Sequence, residues 1–589
     1  MPKQAGATAE AAPLPASVNG PKDYARQWHS IDWARGEARV RRLRQRIFKA
    51  AREQDLSKVR NLQKLMLRSH SNTLVSVKRV TQLSTGRRTA GIDQETALTP
   101  TERGRMVAKI AADPLSRGAR AVRRVYIPKA NGKQRPLGIP VLLDRARQAR
   151  AKNALEPEWE ARFDERTYGF RPGRGCHDAV EAIFNTCGTK RAKRVWVLDA
   201  DLSAAFDRIS HEHLLRAIGS FPGRGLIRAW LRAGVMENGR FSPTEEGTPQ
   251  GGVISPLLLN IALSGMSTAV GGPSNSESSW ARRGRPTLVN YADDFVVLCH
   301  SEAEAYGIKE SLARWFAPRG LNFNEEKTRV VHLRDGFDFL GFNIRRYNDK
   351  MIIKPSKEAV KRVRKRLHDE VHSLRGVNAK AMAKRLNPII KGWATYYRTV
   401  VSKKTFKSLD SHMYRLALKW GKHTHPKKSI AWVVSRYFGR FNSLRQDRWV
   451  FGDRETGAYV HKFAWVRIER HIQVKGDSSP DDPSLERYWA SRVRKKMPTT
   501  ADRMSVALAD RQKGICPLCK QPLVAGAEYE PDNVRDWARW FTASMKPLQR
   551  QRLVLRRDGG SDEKPNLRLV HAECLRQLHA AQGRKVGKA

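Results

Sequence analysis

A chain of 589 residues is too long for one ordinary domain and is expected to hold several. Its 111 Lys and Arg against 58 Asp and Glu give a net charge of +53 and a pI of about 10.7, an excess that argues for a polyanionic partner rather than for solubility alone. No apolar run approaches the ~20 residues of a spanning helix, and no signal segment with a hydrophobic centre is found. Basic residues recur along nearly the whole chain. A membrane partner is therefore set aside, a long nucleic-acid track is favoured, and the protein is expected to be cytoplasmic and nucleoid-associated. Six cysteines, three of them (Cys516, Cys519 and Cys574) near the C-terminus, do not form a disulfide framework.

Residues 1 to about 19 are rich in Ala, Pro and small polar residues and are expected to be disordered. From Tyr24 to about Val80 the pattern is helical: Ile31, Ala34, Ala38, Val40, Leu43, Ile47 and Ala50 make an apolar stripe between basic residues. Ser84 to Asp93 reads as a basic loop. Val122 to Ile127 and Arg135 to Ile139 are predicted strands around a turn at Ala130 to Gly132. Val195 to Leu202 is a short apolar strand with Asp199 and Asp201 on one face. Thr287 to Tyr291 and Phe295 to Leu298 predict a hairpin around Ala292-Asp293-Asp294, and a last strand pair is expected at Thr328 to Leu333 and Asp338 to Ile344. From Ser356 the period becomes helical, with Val360, Val363, Leu367, Val371 and Leu374 inside and Lys357, Lys361, Arg362, Arg364 and Lys365 outside. A basic, aromatic-rich region runs to about Arg470. Gly476 to Pro483 reads as a linker, and a small cysteine-bearing module follows.

The carboxylates suggest a chemistry. Nucleotidyl transfer must activate a 3′-hydroxyl and stabilise a leaving pyrophosphate, which two divalent ions about 3.5–4 Å apart can do. Mg²⁺ is held by a few carboxylates together with substrate phosphates. Asp201 at a strand end and Asp293 and Asp294 at a hairpin turn would supply such a cluster if the two were neighbours. A pair of Asp residues at a turn is common, so the weight rests on the surrounding blocks.

Those blocks, in order, are Arg124 to Pro140 (RVYIPKANGKQRPLGIP), Tyr168 to His177 (YGFRPGRGCH), Asp201 to Asp207 (DLSAAFD), Gly247 to Pro256 (GTPQGGVISP), Tyr291 to Asp294 (YADD), Leu321 to Thr328 (LNFNEEKT) and Phe339 to Phe342 (FLGF). Together they resemble the group II intron reverse transcriptase/maturases over nearly the whole chain. The resemblance implies that Asp201, Asp293 and Asp294 hold two Mg²⁺ ions. Asp201 is preferred over Asp199 because Phe206, five residues on, stands where the family has its ribose gate, a ring that would collide with a 2′-hydroxyl. It further implies that Lys129 and Arg135 clamp the triphosphate of a dNTP, that Gln250 lies beside the incoming nucleotide, and that Lys327 lies near primer or nucleotide. The plain alternative for these cations is a solvated surface role.

Leu386 to Arg398 (LNPIIKGWATYYR) resembles the family's maturase region, domain X, which doubles as the thumb. Trp393, Tyr396 and Tyr397 could stack on bases, although packing in the thumb's own core is the favoured account of each. Lys357, Lys361, Arg364, Lys391 and Arg398 are expected to contact intron RNA. His471 to Gly476 (HIQVKG) and Ser479-Pro480 resemble the family's segment between its DNA-binding region and its tail. The tail itself resembles a His-Asn-His endonuclease domain: Cys516, Cys519, His571 and Cys574 have the spacing of one structural Zn²⁺, the alternative being a zinc-free fold. Gly559 to Asp562 and Asn566-Leu567 also fit. However, the family's adjacent histidines are replaced by the stretch from Gln551 to Arg557, and Leu575 stands where a histidine is usual. Neither Gln nor Arg serves as a base near neutral pH, so the nuclease is expected to be inactive unless His571 and His579 compensate.

The expected architecture is α+β, a right-hand polymerase with domain X and a small zinc-binding, HNH-like module. The divisions are a disordered tail (1–20), helical N-terminal extension and fingers (21–115), fingers and palm (116–350), thumb and domain X (351–425), DNA-binding region and linker (426–500) and the HNH-like module (501–589). The expected activity is copying of intron RNA into DNA for insertion at a target DNA, with assistance to splicing. The competing readings are a splicing-only maturase with a relic polymerase and a reverse transcriptase with a defence role.

Overall fold

A computed structural model of the chain describes residues 28, 31–112, 118–128, 134–272, 284–442, 445–495, 503–512, 515–518, 523, 548–554, 558–572, 574–575 and 578–579. The expected disordered tail, Lys129 and Cys519 lie outside the described residues. No helix among the described residues is long and apolar enough to cross a membrane.

The helical opening resolves into α1 (Trp33–Arg52), α2 (Leu56–Arg68) and α3 (His70–Lys78). The side chains of Asp32, Asp55 and Ser69 cap them by accepting from the backbone N–H of Arg35, Lys58 and Asn72. These helices pack around α4 (Leu142–Glu160), which is buried on all sides although it carries many charges. Three of the buried acids on α4 have cationic partners: Glu156 meets Arg44 and Lys152, Glu158 meets Arg60 and Arg162, and Glu160 meets Arg171, while Asp144 accepts from the Arg120 amide. Such pairing is what permits charge in a core. It also removes the apolar stripe by which a helix is recognised in sequence.

The fingers carry a four-stranded sheet in the order β2-β1-β4-β5: β1 (Val122–Pro128) and β2 (Gln134–Ile139) pair antiparallel as expected, the turn expected at Ala130 to Gly132 lying outside the described residues, and β4 (Val235–Glu237) and β5 (Arg240–Ser242) extend the sheet. The palm sheet has the order β6-β7-β3-β8, where β3 is Trp196–Asp201, β6 Thr287–Tyr291, β7 Asp294–Cys299 and β8 Arg329–His332. Its two faces feed two cores. Leu198, Ala200, Phe295 and Val297 enter one, and Val197, Val296 and Leu298 enter the other, as alternation along paired strands requires.

Two expectations need correction. The segments at 328–333 and 338–344 do not pair with each other: β8 joins the palm beside β3, whereas β9 (Phe337–Phe339), β10 (Phe342–Tyr347) and β11 (Lys350–Pro355) make a separate three-stranded sheet. The Gly336 turn between them redirects the chain from one sheet to the next. The stretch from Gly476 to Pro483 is likewise no free linker. Ser478, Ser479 and Asp481 are buried, Asp481 pairs with Arg44, and Arg174 donates to the carbonyls of Gly476 and Ser478. Its composition suggested a spacer, but the buried arginines of other segments use its carbonyl and carboxylate oxygens.

The thumb consists of α7 (Lys357–Ser373), capped by Ser356, with α8 (Ala379–Tyr397) and α9 (Lys403–Thr424). Trp393, Tyr396 and Tyr397 are buried, and the two tyrosine hydroxyls donate to the carbonyls of Leu340 and Gly341, 3.0 Å each. The core account of these aromatics therefore holds, and the FLGF block is the seat of the thumb.

Arg44 offers a test of the buried network. Burial raises the Asp481 carboxyl pKa while Arg44 pulls it back. A folded-state pKa above the unfolded one means that the group's penalty is absent at acid pH and grows as pH rises. Arg44→Ala is expected to destabilise the protein by about 3–5 kcal/mol, the usual cost of orphaning a buried charge, and the deficit should be larger at pH 8 than at pH 5. Thermal unfolding of the full chain at both pH values reads this, and equal deficits would acquit Asp481.

Candidate active site

The palm hairpin turns in two residues, Ala292 and Asp293, because Tyr291 and Asp294 are paired across it. Ala292 has φ of +60°, the left-handed backbone that tight hairpin turns of this length use. On the other side of β7, Asp294 stands opposite Asp201, the last residue of β3. The Leu202 amide donates to the Asp293 carbonyl (3.3 Å), and the Asn324 amide to the Asp201 carbonyl (2.8 Å). Three aspartates from two distant segments are thereby gathered at one end of the sheet.

The two β3 aspartates differ in their partners. Asp199 accepts from Arg329 Nε at 3.2 Å, and burial pushes its carboxyl up to about 6, with Arg329 opposing. Asp201 accepts from Asn324 Nδ2 at 3.3 Å and from the Lys327 ammonium. Burial acts to lower the Lys327 pKa, but its hydrogen bond to Asp201 and the charges of Asp201, Asp294 and Asp293 outweigh it, so the net shift is upward. Lys327 is thus in the field of all three carboxylates. Hard oxygen donors clustered in this way suit Mg²⁺.

Other blocks are wedged against this cluster. A Cβ on Gly169 would lie 2.4 Å from the Ala292 nitrogen, so the YGF segment can lie under the turn only with glycine there. Tyr168 donates its amide to the Asn290 carbonyl (2.9 Å), and Asn260 Nδ2 donates to the Gly169 carbonyl (2.8 Å). Phe206 lies on α6 (Ala205–Arg208), which follows α5 (Cys176–Cys187) and strand β3 in the chain; it is 7% exposed, and its carbonyl accepts from the Thr248 amide. The Gln250 carbonyl accepts from the Gly138 amide at 3.0 Å, which ties the GTPQGG loop to β2 of the fingers. Gln148 Oε1 accepts from the Val253 amide and holds the far side of that loop. Arg135 is exposed on β2 opposite Ile127.

The structure thus brings Asp201, Asp293, Asp294 and Lys327 together, with Phe206 on a short helix and Gln250 on a loop around them. Sequence reasoning assigned no role to Asn324, Gln148, Asn260 or Arg329. Asn324 lies inside a recognised block and could have been singled out, whereas Gln148 sits on a helix whose pattern carries no signal.

The five cations expected on RNA do not share one surface. Lys357 and Lys361 are exposed on α7, and Arg364 donates to Ser408 Oγ at 2.7 Å. Lys391 is half-buried, with its pKa lowered by burial. Arg398 pairs with Glu469 at 3.2 Å; burial lowers its pKa and Glu469 opposes that.

In the tail, Cys516, His571 and Cys574 present ligand atoms within 4.8 Å of one another. His571 Nδ1 lies 3.7 Å from Cys574 Sγ, close to the roughly 3.5 Å separating S and N ligands of one tetrahedral zinc. His571 Nε2 meets the Leu523 carbonyl at 3.2 Å, the outer contact that leaves Nδ1 for a metal. The residues present fit zinc. Arg552 pairs with Asp562, and Gln551 accepts from Arg568 Nε. Asn566 bridges the Val554 and Ser561 carbonyls.

Three family models match the chain: the N-terminal domain of reverse transcriptase over residues 28–110, reverse transcriptase (RNA-dependent DNA polymerase) over 127–344, and the group II intron maturase-specific domain over 360–438. Protein YkfC of Escherichia coli is 35% identical over 314 residues, which cover 48% of this chain and 82% of YkfC. The group II intron-encoded protein LtrA of Lactococcus lactis is 31% identical over 283 residues, 38% of this chain and 47% of LtrA, so the match spans about half of that relative. Among solved structures, telomerase from Candida albicans aligns with 58% of this chain and 66% of its own at 14% identity and a TM-score of 0.32. With its polymerase, N-terminal and maturase segments matched in order, the chain belongs to the group II intron reverse transcriptase/maturase family.

Proposed function

We propose that this chain copies group II intron RNA into DNA at the Asp201, Asp293 and Asp294 cluster, and binds the same RNA as a splicing maturase. The observation that carries the reading is the pairing of Asp201 opposite Asp294 beside the two-residue turn that holds Asp293. Two Mg²⁺ ions held there would activate the primer hydroxyl and stabilise the leaving pyrophosphate. The protein's own work is positioning. Asp201 is anchored by Asn324, and Lys327 balances the carboxylate charge. The Gln250 loop is tied to the fingers so that a nucleotide is enclosed between β2 and the palm. Lys129 and Arg135 are assigned to the triphosphate of the dNTP, and Phe206 to the sugar. An intact carboxylate cluster favours this over a splicing-only maturase with a relic polymerase.

The panel that tests the centre is Asp201→Asn, Asp293→Ala and Asp199→Asn in primer extension on poly(rA)/oligo(dT). The first two should lose roughly 10³-fold or more in rate. Asp199→Asn should lose less than about tenfold, about 1.4 kcal/mol of barrier, because Asp199 is committed to Arg329. Full activity of Asp293→Ala would sink the assignment.

For the RNA partner, Lys357 and Lys361 supply exposed cations on α7, with Arg364 beside them, while Lys391 and Arg398 serve the thumb's packing. Lys357→Glu with Lys361→Glu should weaken intron-RNA binding at low salt and reduce the log–log salt slope by about one to two. An unchanged slope would place the RNA elsewhere.

The tail is assigned one structural Zn²⁺, held by Cys516, Cys519, His571 and Cys574, and a role in binding target DNA without cutting it. Elemental analysis should find one zinc per chain, lost in Cys516→Ser with Cys574→Ser. Zinc-free wild-type protein, or plasmid cleavage that depends on the tail, would overturn the respective half of this reading.

A further inference from the structure

Eight non-glycine residues among those described have positive φ, and three of them surround the palm cluster: Phe170 (+58°), Ala204 (+49°) and Ala292 (+60°). Ala292 is explained by its hairpin turn, and Ala204 leads into the four-residue helix that carries Phe206. Phe170 is the unusual case, since this backbone region is costly for a bulky side chain and cheap for glycine. Such strain persists only where the surroundings hold it.

The surroundings do hold it, from both sides. Before Phe170, the Tyr168 amide is bonded to Asn290, the Gly169 carbonyl to Asn260, and Gly169 is pressed onto Ala292. After it, the buried Arg171 guanidinium is fixed by Glu160 and by the carbonyls of Asp164 and Thr167. The ring so placed packs against the palm core and makes an aromatic contact with Phe206. Phe170 meets Phe206 edge-to-face, with centroids 6.2 Å apart and planes at 74°. It is half-buried against the core that contains both Phe206 and Ala292.

We propose that Phe170 is a positioning residue for deoxyribonucleotide selection, its ring fixing that of Phe206 at the sugar of the incoming nucleotide. The proposal rests on the reading of Phe206 as the residue that meets that sugar. A ring that discriminates by collision is selective only while its supporting shell keeps it from shifting. Phe206 stands on a single helical turn, which alone is a weak support. The edge-to-face contact gives the ring a second wall, and the contact runs through Gly169 to the same hairpin turn that carries Asp293. Sugar selection and the carboxylate cluster thus share one scaffold.

The geometry supplies a clean probe. Glycine adopts the backbone of residue 170 without strain, so Phe170→Gly removes the ring and leaves the main chain where it is. Single-nucleotide incorporation of dATP and ATP opposite a template uridine gives the ratio of kcat/KM for the two sugars. General destabilisation lowers both terms and leaves the ratio alone. Phe206→Ala should shift the ratio toward ATP by at least about tenfold, and Phe170→Gly by about three- to tenfold, the scale of one aromatic contact. Phe170→Tyr, which keeps the ring, should retain the wild-type ratio. Should Phe170→Gly fold poorly by thermal unfolding, Phe170→Leu, which keeps apolar volume without a ring, carries the same expectation. A wild-type ratio in a folded Phe170→Gly or Phe170→Leu protein beside a relaxed Phe206→Ala overturns the proposal and spares the role of Phe206. A wild-type ratio in Phe206→Ala overturns that role, and the proposal with it.

Discussion

The antiparallel register between β3 and β7 puts Asp201 opposite Asp294, and the rest of the palm is arranged around keeping it there. Side chains alternate along a strand, so a slip of one residue would turn Asp201 to the other face and replace it with Ala200 or Leu202. The register is protected by the two cores it separates. Leu198, Ala200, Phe295 and Val297 are buried on one side, and Val197, Val296 and Leu298 on the other, so no alternative pairing satisfies both. The hairpin end is fixed as well, because glycine at 169 lets the YGF segment lie against the turn at Ala292.

Around this apolar frame the protein uses charge in an unusual way for a chain of net +53. Many of its arginines face inward. Arg150 and Arg174 are buried, and burial lowers each to about 10, which still leaves both charged at neutral pH. They spend that charge on backbone carbonyls: Arg174 on those of Glu165, Gly476 and Ser478, and Arg150 on that of Leu67. The acids of α4 and Asp481 complete the network. In consequence the segment from His471 to Asp482, far away in sequence, is bound into the fingers and palm: His471 and the Val474 amide meet Asp178, and Arg44 and Arg52 meet Asp481 and Asp482. The basic character of the chain is therefore partly internal mortar and only partly a surface for nucleic acid. Arg398 and Lys391 are half-buried in the thumb, whereas Lys357 and Lys361 are exposed on α7.

The tail follows the opposite strategy. Its described core is small, built from residues such as Leu508, Leu523, Leu569 and Val570, with Cys516 buried among them. Small modules of this kind need a staple, and the convergence of Cys516, His571 and Cys574 has the chemistry of one. Gln551 and Arg552 lie on a strand of this tail, where Gln551 accepts from Arg568 and Arg552 pairs with Asp562.

The sequence by itself determined the polymerase blocks, their order and a hairpin around Ala292-Asp293-Asp294, whose turn the structure narrows to Ala292 and Asp293, because alternation, turn chemistry and block spacing are properties of short segments; the preference for Asp201 came from the family resemblance. It also marked the helical α1 to α3 region and the start of α7 at Ser356. Only the tertiary structure decided what depends on partners distant in the chain. It separated Asp199 from Asp201 physically, giving one to Arg329 and the other to Asn324 and Lys327. It sent β8 into the palm and β9 into another sheet, since strand partners are chosen by burial on both faces and not by proximity in sequence. It made a buried helix of α4 and a packed segment of an apparent linker, because their polar side chains find counter-charges that no local pattern announces. And it set Phe170 against Phe206, a contact fixed by backbone strain that only the surrounding fold can sustain.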